Sequence, residues 1–109
     1  MVSMLFYNPE KLTQIKIEGT AIIIRNPEIL KALWKKVDQS SQKDYTTALP
    51  PGSTVDDPDQ VEFLGNEDYF CLLEVHPFKI EYLKLKKPHH LRVRFSNKED
   101  KWKGEFLVP

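Results

Sequence analysis

His90-Leu91-Arg92-Val93-Arg94-Phe95-Ser96-Asn97-Lys98-Glu99-Asp100-Lys101-Trp102-Lys103-Gly104-Glu105-Phe106-Leu107-Val108 is the stretch that decides the fold class. Over residues 90–96, Leu91, Val93 and Phe95 face one way and His90, Arg92 and Arg94 the other. That is the period-two pattern of a half-buried strand. Residues 97–100 read as a hairpin loop and residues 101–108 as the returning, closing strand. Upstream, Lys86-Lys87-Pro88 turns the chain, and residues 78–85 alternate again, with Phe78, Ile80 and Tyr82 opposite Lys79, Glu81 and Leu83. Residues 69–75 read as one more strand, expected to end near His76-Pro77. The last 40 or so residues therefore read as a meander with turn signals every 8–12 residues, the spacing of an antiparallel barrel or sandwich.

Further toward the N-terminus, residues 49–59 are loop, because Pro50, Pro51, Gly52 and Pro58 exclude regular structure. Asn26-Pro27 opens a helix: the asparagine can cap orphan N–H groups, and proline loses no donor at the first helical position. Ile29, Leu30, Leu33, Trp34 and Val37 then form an apolar stripe at helical spacing, predicting an amphipathic helix over residues 27–37 lying on a sheet. A short second helix is expected within residues 38–45. In residues 14–25, Ile15, Ile17, Ala21 and Ile23 share one face, and Lys16, Glu18 and Thr20 the other. Ile22 and Ile24 make the second half apolar on both faces, as in a strand buried from two sides. Gly19 predicts a bulge or bend. Leu5-Phe6-Tyr7 ends a preceding strand, and Asn8-Pro9-Glu10-Lys11 turns between the two, favouring an antiparallel pair. The expected fold is mostly β with one or two helices: six strands in an incompletely closed antiparallel barrel.

The 109 residues fit a single domain. Sixteen Lys+Arg balance 16 Asp+Glu, with a pI near 6.8. Nucleic-acid-binding domains normally carry a basic excess, so no nucleic-acid partner is expected. The apolar run Ala21-Ile22-Ile23-Ile24 falls far short of the roughly 20 residues that span a bilayer, so no membrane partner is expected either. One cysteine, Cys71, excludes an internal disulfide and fits a reducing, cytoplasmic location. The residues Met1 to Tyr7 lack the basic and apolar regions of a signal peptide.

His90, Arg92 and Arg94 on one strand face read either as an anion site, for a phosphate or carboxylate, or as a solvated face. His89 and His90 point to opposite faces with no third ligand near, so no metal site is expected. Cys71, within Phe70-Cys71-Leu72-Leu73, reads as a buried, inert thiol. Trp34 reads as core; Trp102 reads as core or as a lid over a planar ligand.

The order of these motifs resembles the pyridoxamine 5′-phosphate oxidase-like family of FMN-binding split barrels. It is carried by Leu5-Phe6-Tyr7, by Gln14-Ile15-Lys16-Ile17-Glu18-Gly19-Thr20-Ala21, by the Trp34 helix and by Ser40-Ser41-Gln42-Lys43-Asp44-Tyr45. Leu49-Pro50-Pro51-Gly52, Ile80-Glu81-Tyr82-Leu83, His90-Leu91-Arg92-Val93-Arg94-Phe95, Trp102 and Leu107-Val108-Pro109 continue it in register. It spans the whole chain but only the C-terminal part of a typical member, so the barrel is expected to be incomplete at its N-terminus.

The resemblance implies a homodimer with FMN at the subunit interface, and a small phosphorylated or planar ligand. Gln14 and Arg94 match family residues at the flavin. Leu83 stands where a flavin-contacting tryptophan is usual, leaving a packing contact. His90 and Arg92 occupy the places of a substrate-reading arginine and histidine, with the types exchanged, and Leu33 replaces a tyrosine that helps hold the substrate phosphate. These departures imply an oxidoreductase-like flavoprotein rather than a true pyridoxamine phosphate oxidase. The alternative is a cofactor-free dimerisation or ligand-binding module. Strands that precede Leu5 in the family hold much of the flavin phosphate, so this chain alone is expected to bind FMN weakly or not at all.

Overall fold

A computed structural model describes residues 1–65 and 68–109 and contains five strands: β1 (Val2–Asn8), β2 (Thr13–Ile24), β3 (Leu72–Lys84), β4 (Leu91–Lys98) and β5 (Lys101–Leu107). They form one sheet in the order β1-β2-β3-β4-β5, with β1 and β5 as open edges. The sheet does not close, as expected of an incomplete barrel. It belongs to a unit made of Met1–Ile22 and Glu74–Pro109; a second unit comprises Ile23–Leu73.

Local chemistry explains the turns. Between β1 and β2, the Asn8 side-chain oxygen accepts from the N–H groups of Glu10 and Lys11, both at 3.0 Å. This is the turn that an asparagine can build from its own side chain. The β4–β5 hairpin is tight, with Glu99 and Asp100 both at positive φ, 52° and 60°. Primed hairpin turns require that conformation because it matches the twist of the flanking strands.

In place of six strands there are five, because residues 69–75 and 78–85 do not form separate strands. β3 runs unbroken from Leu72 through Pro77 to Lys84. The reason lies partly in Gly19. A Cβ there would overlap the His76 carbonyl oxygen and lie 2.9 Å from Pro77 Cα. The missing side chain lets the β3 backbone pass close to β2 at the proline that reads as a break. Two-sided burial of the second half of β2 is also corrected: Ile22 and Ile23 are about half exposed, at 49% and 51%.

In the second unit, α1 (Pro27–Trp34) begins where expected. Asn26 Oδ1 accepts from Glu28 N–H at 3.0 Å and from Ile29 N–H at 3.5 Å. The regular helix ends at Trp34 rather than Val37, because Lys36 and Val37 donate to the carbonyls three residues back, Leu33 and Trp34. Such bonds tighten the last turn and satisfy otherwise orphaned carbonyls. A four-residue α2 (Gln39–Gln42) follows. Trp34, Tyr45 and Phe70 pack edge-on or tilted, with ring centroids 5.1–5.7 Å apart, and Gln42 Nε2 donates to the Trp34 carbonyl. Ile29 remains exposed, so the helical stripe is only partly covered. Cys71 is exposed and precedes β3, contrary to the buried thiol that its apolar neighbours suggest. Among the described residues, no hydrophobic side chain is fully buried, and no helix is long and apolar enough to cross a membrane.

Candidate functional site

Register decides which side chains meet. β1 pairs Tyr7 with Gln14 and Leu5 with Lys16. β3 pairs Leu83 with Arg92 and Glu81 with Arg94. β4 pairs Arg92 with Leu107 and Arg94 with Glu105. Between β2 and β3, Leu85 N–H donates to the Leu12 carbonyl at 3.0 Å, and Lys79 Nζ lies 3.4 Å from Glu18 Oε2. Regular antiparallel pairing carried on from the Leu12–Leu85 bond would set Gln14 beside Leu83 and Lys16 beside Glu81, and the Lys79–Glu18 contact is consistent with that register.

Directly opposed residues share a face, as do residues two apart on a strand. One sheet face therefore carries successive rows. The first is Tyr7, Gln14, Leu83, Arg92 and Leu107; the second is Leu5, Lys16, Glu81, Arg94 and Glu105; the third contains Ser3, Glu18, Lys79, Ser96 and Lys103. Gln14, Leu83, Arg92 and Arg94, four of the residues singled out from the sequence, fall within the first two rows.

His90 is not on a strand. Its Nδ1 accepts the Lys86 N–H at 3.1 Å, closing the turn between β3 and β4. That nitrogen is an acceptor in this contact, so the ring presents its other edge outward.

Both arginines have carboxylate partners. Arg92 Nη2 donates to Glu81 Oε2 at 3.0 Å, and its Nη1 reaches the Val108 carbonyl at 3.5 Å. Arg94 donates through both Nε and Nη2 to Glu105 Oε1. The hydrogen bond and charge of Glu105 raise the Arg94 pKa; the hydrogen bond and charge of Arg94, with smaller help from Lys103 and Lys98, lower that of Glu105. The first two rows thus offer N–H donors, an amide and an aliphatic surface with little net charge. Such a surface suits a flat polar ring better than an isolated anion. Sequence reasoning missed the two glutamates; they stand opposite Arg94 on its two neighbouring strands, with Arg92 reaching Glu81 diagonally, a signal available once the register was known.

The positive charge gathers further along the same face. A hollow of about 420 Å³ is lined by Arg94, Ser96, Lys98, Lys101, Lys103 and Glu105. The lysines too were passed over in the sequence, as an ordinary polar hairpin end. A hollow of similar volume, about 430 Å³, lies in the second unit among Thr47, Leu49, Pro50, Val55 and Val61, with Glu62 as its one ionisable lining residue. The opposite sheet face is apolar: Phe106, opposite Val93, is 81% exposed, and Phe95 and Trp102 are nearly half exposed. Trp102 is thus on an edge strand and not in a core. Among the described residues no three His, Cys, Asp or Glu side chains gather at metal-binding distance.

No protein family model and no curated protein matches this sequence. Solved structures do. One is a pyridoxamine 5′-phosphate oxidase-related, FMN-binding protein from Nostoc punctiforme, 20% identical, with a TM-score of 0.71 over 98% of this chain and 62% of that one. Another is PhzG from Burkholderia lata, in complex with tetrahydrophenazine-1-carboxylic acid, 21% identical, with a TM-score of 0.73 over 98% of this chain and 58% of that one. The chain shares their fold and spans less than two thirds of the length of either.

Proposed function

We propose that this chain is an FMN-binding, oxidoreductase-like protein related to pyridoxamine 5′-phosphate oxidase, without being a true pyridoxamine phosphate oxidase. The observation that supports it is the placement of Gln14, Leu83 and Arg94 in adjoining rows of one sheet face, about two strand spacings (roughly 10 Å) wide. These residues fit a flavin ring. The Gln14 amide offers a donor and an acceptor to a polar edge, Leu83 packs against the ring, and Arg94 keeps guanidinium N–H groups beyond the two given to Glu105. Bound FMN would supply electron and hydride chemistry that no side chain of this face possesses. Arg92, in the first row, and His90, in the turn before β4, are the proposed contacts to a small phosphorylated or planar substrate. Their exchanged types, with leucine at position 33, argue against pyridoxamine phosphate as that substrate. The fold shared with an FMN-binding protein supports the cofactor. The reading includes a cytoplasmic location, in keeping with a single unpaired cysteine.

The same reading includes a homodimer. Leu5, Phe6, Phe95, Trp102 and Phe106 are among the exposed apolar side chains, and both sheet edges are open. Exposed apolar side chains and unpaired strand edges favour association. Sedimentation at tens of micromolar, on the order of ordinary assay concentrations, should show a dimer; a well-behaved monomer would contradict it.

A second reading, a cofactor-free dimerisation or ligand-binding module, is favoured by the carboxylate partners that both Arg92 and Arg94 already hold. FMN fluorescence titration separates the two: saturable binding weakened by Arg94→Ala supports the flavin reading, and its absence supports the module.

A further inference from the structure

The hollow at the β4–β5 hairpin gathers four cations around a single lining carboxylate. Lys98 and Lys101 are directly opposed across the strands, and Ser96 faces Lys103 in the next row. Like charges placed directly opposite each other destabilise a strand pair, so this arrangement works against the hairpin unless an anion offsets it. The chain as a whole has no net charge. Yet the hollow at this end of the sheet is lined by four cations, Arg94, Lys98, Lys101 and Lys103, one hydroxyl, Ser96, and one carboxylate, Glu105.

Glu105 is engaged by both donating nitrogens of Arg94. Among the described residues, no carboxylate oxygen comes within 4.0 Å of the nitrogens of Lys98, Lys101 or Lys103. Glu99 and Asp100, in the turn, do not line the hollow. Lys79, on the same face, does not line the hollow and lies 3.4 Å from Glu18, which Lys16 also approaches at 3.7 Å.

We propose that Lys98, Lys101 and Lys103, with the Ser96 hydroxyl, form a binding site for a phosphorylated small molecule, with the diphosphate group as the best-fitting chemistry. Adjacent strands are about 4.8 Å apart, and same-face residues about 7 Å apart along a strand. Three flexible ammonium groups on that grid converge over a short span, matching two linked phosphoryl groups better than one carboxylate. Lysine supplies this charge as a movable point donor. The volume, about 420 Å³, lies within the roughly 300–1,000 Å³ of small-molecule sites. Arg94 is the main cause of the lowered Glu105 pKa, and Lys103 and Lys98 add to it in the same direction. The site does not depend on the flavin reading, because it uses neither Gln14 nor Leu83 and needs no ring.

The test is titration of the full chain with inorganic pyrophosphate, followed by backbone amide shifts and by calorimetry at fixed ionic strength. Saturable shifts confined to β4 and β5, with one site per chain, are expected. Lys101→Gln and Lys103→Gln should each weaken binding about tenfold, the loss of one charge-assisted contact. Lys79→Gln should leave it unchanged, and sulfate at equal ionic strength should bind more weakly. Shifts that never saturate, equal response to sulfate, or equal sensitivity to Lys79→Gln would each overturn the proposal. Pyrophosphate binding without FMN binding would uphold this site while removing the flavin reading.

Discussion

Arg94 on β4 and Glu105 on β5 stand directly opposite each other, and Nε and Nη2 of the guanidinium both donate to a single carboxylate oxygen. The pair joins the neutral part of the sheet face, where Gln14 and Leu83 lie, to the lysine-rich hairpin end. It is exposed, so its weight is in orientation rather than stability: two donors to one oxygen restrict where the guanidinium can turn.

The pair makes stability depend on pH in a defined direction. Glu105 has a lowered pKa in the folded chain, so its contribution is complete above the ordinary carboxylate range and is lost as pH falls through the lowered value. Arg94, raised from an already high pKa, stays charged throughout. Glu105→Gln should therefore lower the urea midpoint slightly at neutral pH, with the difference from the parent chain vanishing in acid. A difference that persists in acid would mean that packing, not charge, holds Glu105.

Gly19 and Gly104 should respond differently to alanine. At Gly19 the new Cβ meets the backbone of His76 and Pro77, which cannot turn aside. Overpacking of this kind costs about 1–3 kcal/mol. At Gly104 the nearest atoms belong to the Phe95 ring, 3.0 Å away, and a half-exposed ring can rotate. Denaturant melts should show Gly19→Ala well below Gly104→Ala; equal effects would show that the β2–β3 approach is not tight.

The hairpin turn should be improvable. Glu99 and Asp100 both adopt the left-handed conformation, which asparagine and glycine occupy with less strain. The double substitution Glu99→Asn with Asp100→Gly should stabilise the chain, because relief of left-handed strain, roughly 1–2 kcal/mol per residue, outweighs the about 0.5–1 kcal/mol that glycine costs in chain entropy; the readout is a higher urea midpoint. A lower midpoint would place the origin of the turn outside its backbone conformation.

The alternation over β4 and β5 and the Asn26-Pro27 helix start were legible in the sequence because each is local. Strand period and capping chemistry act within a few residues. The unbroken β3 was not legible. Pro77 alone reads as a break and Gly19 alone as a bend, and only their encounter across strands shows that the glycine makes room where the proline passes. Cys71 misled for a related reason: apolar neighbours imply burial only when another layer covers them, and the described residues contain no fully buried hydrophobic side chain. For the candidate site, Gln14, Leu83, Arg92 and Arg94 were singled out from the sequence, but the neighbouring Glu81, Glu105 and the three lysines were not. Their roles depend on cross-strand register, which a single strand's pattern does not contain.

The claim that Gln14, Leu83 and Arg94 form a flavin-holding face is tested most directly by FMN fluorescence titration of the parent chain beside Gln14→Ala and Arg94→Ala. The account predicts saturable but weak quenching, with Kd above about 1 μM (weaker than roughly −8 kcal/mol). Each substitution should weaken it about tenfold, the loss of a charge-assisted or amide contact. Saturable binding that neither substitution alters, or binding tighter than about 1 μM (roughly −8 kcal/mol), would contradict it.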